Sequence, residues 1–317
     1  MGEILREAVT PKFIILYLYV AAVVFVHFRG SARLKFGRQM LDHSGFFAPY
    51  NCLMYMFSKV RVKPYADMSE FPELTPLREN WKTIRDEAND LYEAGHIQSS
   101  DKHNDMIFLA FYKRGWKRFY LKWYDDFMPS AKELCPKTVE LVRSIPNINA
   151  AAYTLLPAGA MLGKHRDPCA GSLRYHLGLI TPQNTDSCKI WVDGQEHVWR
   201  DGKDVVFDET YVHWALNDTS QPRIILFCDV TRPLRFGLVR GVNNLMTKLL
   251  RITKSQNLDS EKVGLLNHVT SSIVRYKYFL KRIKKRNRSG YYAVKWLFIS
   301  CILFLVFGRG LVGATGG

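Results

Sequence analysis

Between Ala150 and Val230 the sequence breaks into short apolar or alternating runs: AAYTLL, LRYHLGLI, CKIWV, EHVW, DVVF, YVHWAL and RIILFCDV. Turn clusters such as PAG, TPQNTDS, DGQ, RDGKD and NDTSQP separate them. Regular short strands joined by tight turns predict a β-sandwich or barrel. Helical signals flank this region. Leu77, Trp81, Ile84, Ala88 and Leu91 recur at helical spacing, with Thr75 as cap and Pro76 in the first turn. Ser130 with Glu133 reads as a capping box that opens another short helix. From residue 235 to 288 helical spacing returns, with Val263, Leu266, Val269, Ile273, Tyr276 and Leu280 on one face. The expected class is α+β, without an internal repeat.

Two apolar segments bracket this body. Phe13 to Phe28 carries no acid, Lys or Arg. At ~1.5 Å per residue it spans about 24 Å, so Pro11, Lys12 and Arg29 would lie near the two interfaces. A secretory signal needs a positive n-region and an A-x-A site. Here Glu3, Arg6 and Glu7 are mixed in sign and no such site follows, so a retained anchor is expected. Tyr291 to Val312 is long enough to cross at about 33 Å, with Lys295 and Arg309 snorkelling to opposite interfaces. Tyr291, Tyr292 and Trp296 would form an aromatic belt, and an interfacial helix is the alternative.

The formal charge of +16 is placed to match. Arg29, Arg33, Lys35 and Arg38 follow the first segment, and Lys281, Arg282, Lys284, Lys285, Arg286 and Arg288 precede the second. Basic flanks of this kind put residues 30 to 290 in the cytoplasm if both segments cross, and favour anionic headgroups. No helix-turn-helix, zinc-finger or RNA-binding signature accompanies the charge, so no nucleic-acid partner is expected. A hydrophobic content of 47% argues against disorder. The cysteines, Cys52, Cys135, Cys169, Cys188, Cys228 and Cys301, include no C-x-x-C pair. They read as reduced, mostly packed thiols, with neither a disulfide framework nor a structural zinc.

The chemistry concentrates in His165-Arg166-Asp167, just after the Pro157-Ala158-Gly159 turn. On an extended segment residues two apart face the same side, so His165 and Asp167 can grip one ion. His213, in YVHWAL, offers a third ligand. Two histidines and one carboxylate leave three coordination positions open, which suits non-haem iron(II) that must bind a co-substrate and dioxygen. Arg223 begins RIILFCDV ten residues later, and a hairpin there would return it to the metal. Its guanidinium matches a carboxylate bidentately, as the far end of 2-oxoglutarate requires. Hydrolytic zinc on the same ligands stays open. A kinase catalytic loop does not: the Asn expected five residues after the Asp is Ser172, and D-F-G is absent.

The block KHRDPCAGSLRYHLGLITP, followed by KIWVDGQEHVWRDGKDVVFDETYVHWALNDTSQPRIILFCDVTRP, resembles the aspartyl/asparaginyl β-hydroxylase family of 2-oxoglutarate-dependent oxygenases. The likeness is greatest to its bacterial lipid A-directed branch and extends to FGRQMLDHSGFFAPYNCLMYMFSKV and YKRGWKRFYLKWYDDF. The resemblance implies a double-stranded β-helix (jelly-roll) core, with His165 and His213 as iron ligands and Arg223 on 2-oxoglutarate. Arg174, His176 and Thr154 would line the co-substrate pocket. The family's animal protein hydroxylases carry glycine where this chain has Asp167, so Asp167 points to the lipid-directed branch.

The resemblance implies a layout as well. Residues 11–29 would be a transmembrane helix and 30–149 a juxtamembrane, helical, substrate-side region. Residues 150–234 would be the oxygenase core, 235–290 a basic helical linker, and 291–312 a transmembrane or interfacial helix. The implied reaction hydroxylates the 2-position of a secondary acyl chain of lipid A at the cytoplasmic face of a bacterial inner membrane. Fe(II) is the metal, and 2-oxoglutarate and dioxygen are the co-substrates. An ornithine-lipid hydroxylase and a silent membrane-tethered lipid-binding scaffold are the rivals. Gly45 to Phe57 is expected either to pack as core or to guide an acyl chain. Lys113, Arg114, Lys117, Arg118 and Lys122 would face solvent, headgroups or lipid phosphates.

Overall fold

The computed structural model describes residues 9–40, 43–99, 115–183, 186–253, 256–258, 261, 279–280 and 282–304. Phe25–His268 form one compact unit, and the segments on either side of it form another. The larger unit is built on two antiparallel sheets. One contains β1 (Gln98–Ser99), β2 (Lys117–Trp123), β3 (Asp126–Phe127), β4 (Ile148–Leu156), β6 (Ser172–Ile180), β9 (Asp204–Phe207) and β11 (Arg223–Thr231). Their order is β1-β2-β4-β11-β6-β9, with β3 paired to β2. The smaller sheet runs β5-β10-β7-β8, from β5 (Met161–His165), β7 (Cys188–Val192), β8 (Gln195–Val198) and β10 (His213–Asn217). From β4 onward the chain passes from one sheet to the other and back, which winds a double-stranded β-helix, or jelly roll.

The central strands are apolar on both faces for a reason. The inner side of β4, β6 and β11 faces the small sheet, and helices cover the outer side. α4 (Trp81–Glu93) lies against β6, and α6 (Pro136–Arg143) against β2 and α4. Other helices of five or more residues are α1 (Pro11–Phe28), α2 (Ala48–Met56), α3 (Thr75–Glu79), α5 (Pro129–Leu134), α7 (Gly237–Arg251) and α8 (Arg288–Leu303). Leu77, Ile84, Ala88 and Leu91 are buried, as their spacing requires.

Several local expectations fail. The stripe from Leu77 to Leu91 is two helices broken at Asn80. Thr75 does not cap; the preceding Leu74 takes that position without a side-chain bond. Ser130 and Glu133 form no capping box. Ser130 is already inside α5, and its N–H and hydroxyl both donate to Glu261, at 2.9 and 2.7 Å. The segment 30–149 also supplies β1, β2 and β3. No hairpin joins His213 to Arg223, because β10 and β11 belong to different sheets. Their five-residue link (218–222) changes layer, and Asn217 holds it by donating to the Gln221 carbonyl at 2.8 Å.

The basic segment also divides. Lys113 and Arg114 lie outside the described residues. Arg118 is buried on β2, and Lys122 donates to the Ile148 carbonyl at 2.6 Å, so neither belongs to a solvated face. In Gly45–Phe57, Asn51, Met54 and Tyr55 are core, whereas Phe46 and Met56 are exposed. The stripe Val263 to Tyr276 lies outside the described residues. α1 has a mean hydropathy of 1.9 over 18 residues, long and apolar enough to cross a membrane. α8 starts at Arg288, where the Asn287 side chain caps it by accepting from Gly290 N–H at 2.8 Å. Residues 305–312 lie outside the described residues. None of the six cysteines forms a disulfide.

Candidate metal centre

His165 ends β5 and His213 begins β10, and the antiparallel register sets them opposite one another. Their ring centroids are 4.1 Å apart. Asp167 lies past the end of β5, where its N–H donates to the Glu209 carbonyl at 3.0 Å. That bond folds the loop back and leaves Asp167 Oδ1 3.8 Å from His165 Nε2. One ligand atom from each of the three residues falls within 4.8 Å of the others, so the group could hold a metal ion. His165 Nδ1–H donates to the Gly163 carbonyl at 2.7 Å, and His213 Nδ1–H to the Tyr211 carbonyl at 3.0 Å. A carbonyl can only accept, so each Nε2 keeps its lone pair for a metal.

The electrostatics favour the ligating forms. Burial, then His165, pushes His213 down to about 4, so the imidazole is neutral near pH 7. Burial pushes Asp167 up, but Arg174, His213 and His165 outweigh it and hold the carboxyl well below its ordinary range. Arg174 Nη2 lies 2.8 Å from Asp167 Oδ2 and also contacts Glu209, while Nη1 is 3.7 Å from Asp229. Three carboxylates thus face one guanidinium. Burial pushes the Glu209 and Asp229 carboxyls up against the pull of Arg174, whereas the Asp167 carboxyl is held down.

One cavity, with about 540 Å³ of open space at its mouth and interior, is lined by all seven residues singled out in the sequence: Thr154, His165, Asp167, Arg174, His176, His213 and Arg223. Trp116, Leu162, Ile190, Trp214 and Phe227 supply much of its apolar wall. Arg223 is buried with its guanidinium 4.9 Å from the Trp199 ring centroid. Its Nε makes no hydrogen bond, and among the described residues no carboxylate pairs with it. Burial lowers it to about 10. His176 is also buried with neither ring nitrogen bonded, between Trp199, Phe207 and Phe227 at 5.6, 5.0 and 5.4 Å. Burial, then Arg223 and Arg174, keep it neutral. Thr154 sits on β4, in register with Ile225.

Reading the sequence missed Glu209, Asp229 and Trp199. Glu209 had one available signal, since it stands four residues before His213 in FDETYVH. Asp229 and Trp199 had none.

The model for aspartyl/asparaginyl β-hydroxylases matches residues 78–233, a span that contains every residue of this cavity. An ornithine lipid ester-linked acyl 2-hydroxylase of Rhizobium tropici is 31% identical over 210 residues, covering 65% of this chain and 74% of that protein. The chain belongs to the aspartyl/asparaginyl β-hydroxylase family. As a family member it is a hydroxylase of the oxygenase type. Human aspartyl/asparaginyl β-hydroxylase is 27% identical over 190 residues, which is 57% of this chain but only 24% of the human protein. A prolyl-4-hydroxylase crystal structure from Pseudomonas putida aligns with 49% of this chain and 87% of its own, at 17% identity and a TM-score of 0.32. The strand order above, rather than that alignment, defines the jelly roll.

Proposed function

We propose that this hydroxylase depends on Fe(II) and 2-oxoglutarate and hydroxylates the 2-position of a membrane-lipid acyl chain. Lipid A, at the cytoplasmic face of a bacterial inner membrane, is the substrate in this reading. His165, Asp167 and His213 would hold the iron, with three positions left for co-substrate and dioxygen. Fe(II) bound there supplies dioxygen activation coupled to oxidative decarboxylation of 2-oxoglutarate to succinate and carbon dioxide.

The single observation that carries the reading is Arg223. A buried guanidinium without a carboxylate partner is costly unless an anion joins it, and its fork matches a carboxylate bidentately. The far carboxylate of 2-oxoglutarate would meet that need at the Arg223 guanidinium, which is packed against the Trp199 ring. His176 is held neutral with an unused N–H and can donate a hydrogen bond to the same ligand. Arg174 orients Asp167 and already faces Glu209 and Asp229, which leaves little call for an acidic substrate beside the metal. The apolar walls would exclude water and admit an alkyl chain.

The lipid reading is supported by the Rhizobium tropici relative, which acts on an ester-linked acyl chain of ornithine lipid, and by the apolar α1. That relative also favours a second reading, ornithine lipid in place of lipid A. Full-length protein given Fe(II), 2-oxoglutarate and either purified lipid separates the two. Succinate formation stimulated by lipid A supports the first, and stimulation by ornithine lipid alone supports the second. Succinate that is independent of any lipid would refute both.

A further inference from the structure

Among the described residues, nothing covers an apolar stripe on α7. Leu238, Val242, Leu245, Leu249 and Ile252 recur at steps of three and four, which places them along one side of the helix. All five are exposed, from 38% at Val242 to 84% at Leu238. The adjoining side is anchored to the core through Val239 and Asn243, both buried. Asn243 donates to the Gly171 carbonyl at 2.9 Å and accepts from the Tyr50 hydroxyl at 2.7 Å. The helix is therefore fixed to the core with its apolar side turned outward. Burying that stripe in the core by rotation would break both bonds.

The charges say what covers the stripe. From residue 230 to 258 the sequence contains no acid, and Arg235, Arg240 and Lys248 are basic and exposed, whereas Arg232 is buried against Asp208 and Arg251 already pairs with Asp125 and Asp126. Arg240, Lys248 and Arg251 occur on α7 itself and are exposed. A helix with a continuous apolar side, basic residues on its polar side and no acid lies in the plane of an anionic membrane, its apolar side at the headgroup–acyl boundary. A protein partner would be expected to bring acids to meet these bases and would have no need of so wide an aliphatic stripe.

We propose that α7 is an interfacial helix that docks on an anionic lipid surface through Leu238, Val242, Leu245, Leu249 and Ile252. This contact is separate from any crossing by α1. It does not depend on the hydroxylase reaction. Through Asn243 and Gly171 it connects the membrane surface to the loop that follows Asp167, and Asn51 of α2 braces the same loop by donating to the Pro168 carbonyl at 2.9 Å.

The test uses the full-length chain in vesicles of phosphatidylcholine with a minority of phosphatidylglycerol. An environment-sensitive fluorophore is attached at Leu245→Cys in a Cys52→Ser, Cys301→Ser background. The control carries it at Asn244→Cys, one residue away on the polar side. Both sites are exposed, so neither label disturbs packing. The Leu245 label should shift to the blue and be quenched by lipids with doxyl groups on their acyl chains. The Asn244 label should be quenched by aqueous iodide. Equal iodide quenching at the two sites would overturn the proposal. So would a blue shift at Leu245 that disappears as protein is diluted into more lipid, because a second copy would then be the cover.

Discussion

Arg174 Nη2 lies 2.8 Å from Asp167 Oδ2, and this contact orients the one carboxylate among the candidate ligands. The same guanidinium faces Glu209 and Asp229, so its removal would strand two buried carboxylates beside the half-buried Asp167. Arg174→Gln should weaken Fe(II) binding by ~10–100-fold, as expected when a group that orients a ligand is lost. It should also destabilise the fold by ~3–5 kcal/mol. Competition with a colorimetric chelator reads the first effect and urea unfolding the second. Unchanged affinity would mean that Asp167 is not a ligand or needs no support.

Arg223→Met separates binding from stability. Among the described residues the buried cation has no carboxylate partner, so its loss should leave the ligand-free protein as stable as before or more so. The KM for 2-oxoglutarate should rise by at least ~30-fold, since losing a desolvated charge partner costs about 2–5 kcal/mol. Thermal unfolding with and without 2-oxoglutarate checks both. Equal stabilisation of wild type and variant by 2-oxoglutarate would remove Arg223 from the site.

Asp208 sets the acid stability of the site's support. It accepts from Arg29 at 2.6 Å and Arg232 at 2.9 Å, just ahead of the turn into His213. Burial pushes its carboxyl up, but the two arginines prevail and hold it well below the ordinary range. The folded state therefore resists protonation more than the unfolded chain does. Its contribution is fully present at neutral pH and is lost as pH falls below about 4. Asp208→Asn should cost ~3–5 kcal/mol at pH 7 by stranding two buried arginines. It should also flatten this acid limb in urea titrations run at pH 7 and pH 3.

Gly171 is the close-approach point between the ligand loop and α7. A Cβ there would run into the Asn243 side chain and the Tyr50 hydroxyl. Gly171→Ala should cost about 1–3 kcal/mol, as overpacking does. Hydrogen exchange should show the loss of protection centred on residues 237–251.

The jelly roll was legible where each strand keeps its own pattern between turn clusters, as in LRYHLGLI and RIILFCDV. β2 escaped because Phe119, Tyr120 and Leu121 are all buried, covered on one side by the sheet core and on the other by helices. Without alternation, its Lys and Arg dominated the reading of KRFYLKW. β5 escaped because it is an edge strand in the small sheet, recognisable by its pairing with β10 rather than by its composition. The three candidate ligands and Arg223 were legible from residue type and spacing, though the hairpin invoked to unite them was wrong. A layer change brings Arg223 to the cavity instead. The Arg174 cluster was invisible because Glu209 and Asp229 lie 35 and 55 residues beyond Arg174 and meet it only across the sheet.

The central claim, lipid acyl hydroxylation at the His165–Asp167–His213 site, is tested most directly by mass spectrometry of membrane lipids. Lipid A and ornithine lipids are compared from cells with the wild-type chain, with His213→Ala and without the protein. The account predicts a gain of one oxygen on a secondary acyl chain of lipid A in wild-type cells only. Identical lipid profiles in all three, or the same gain with His213→Ala, would contradict it.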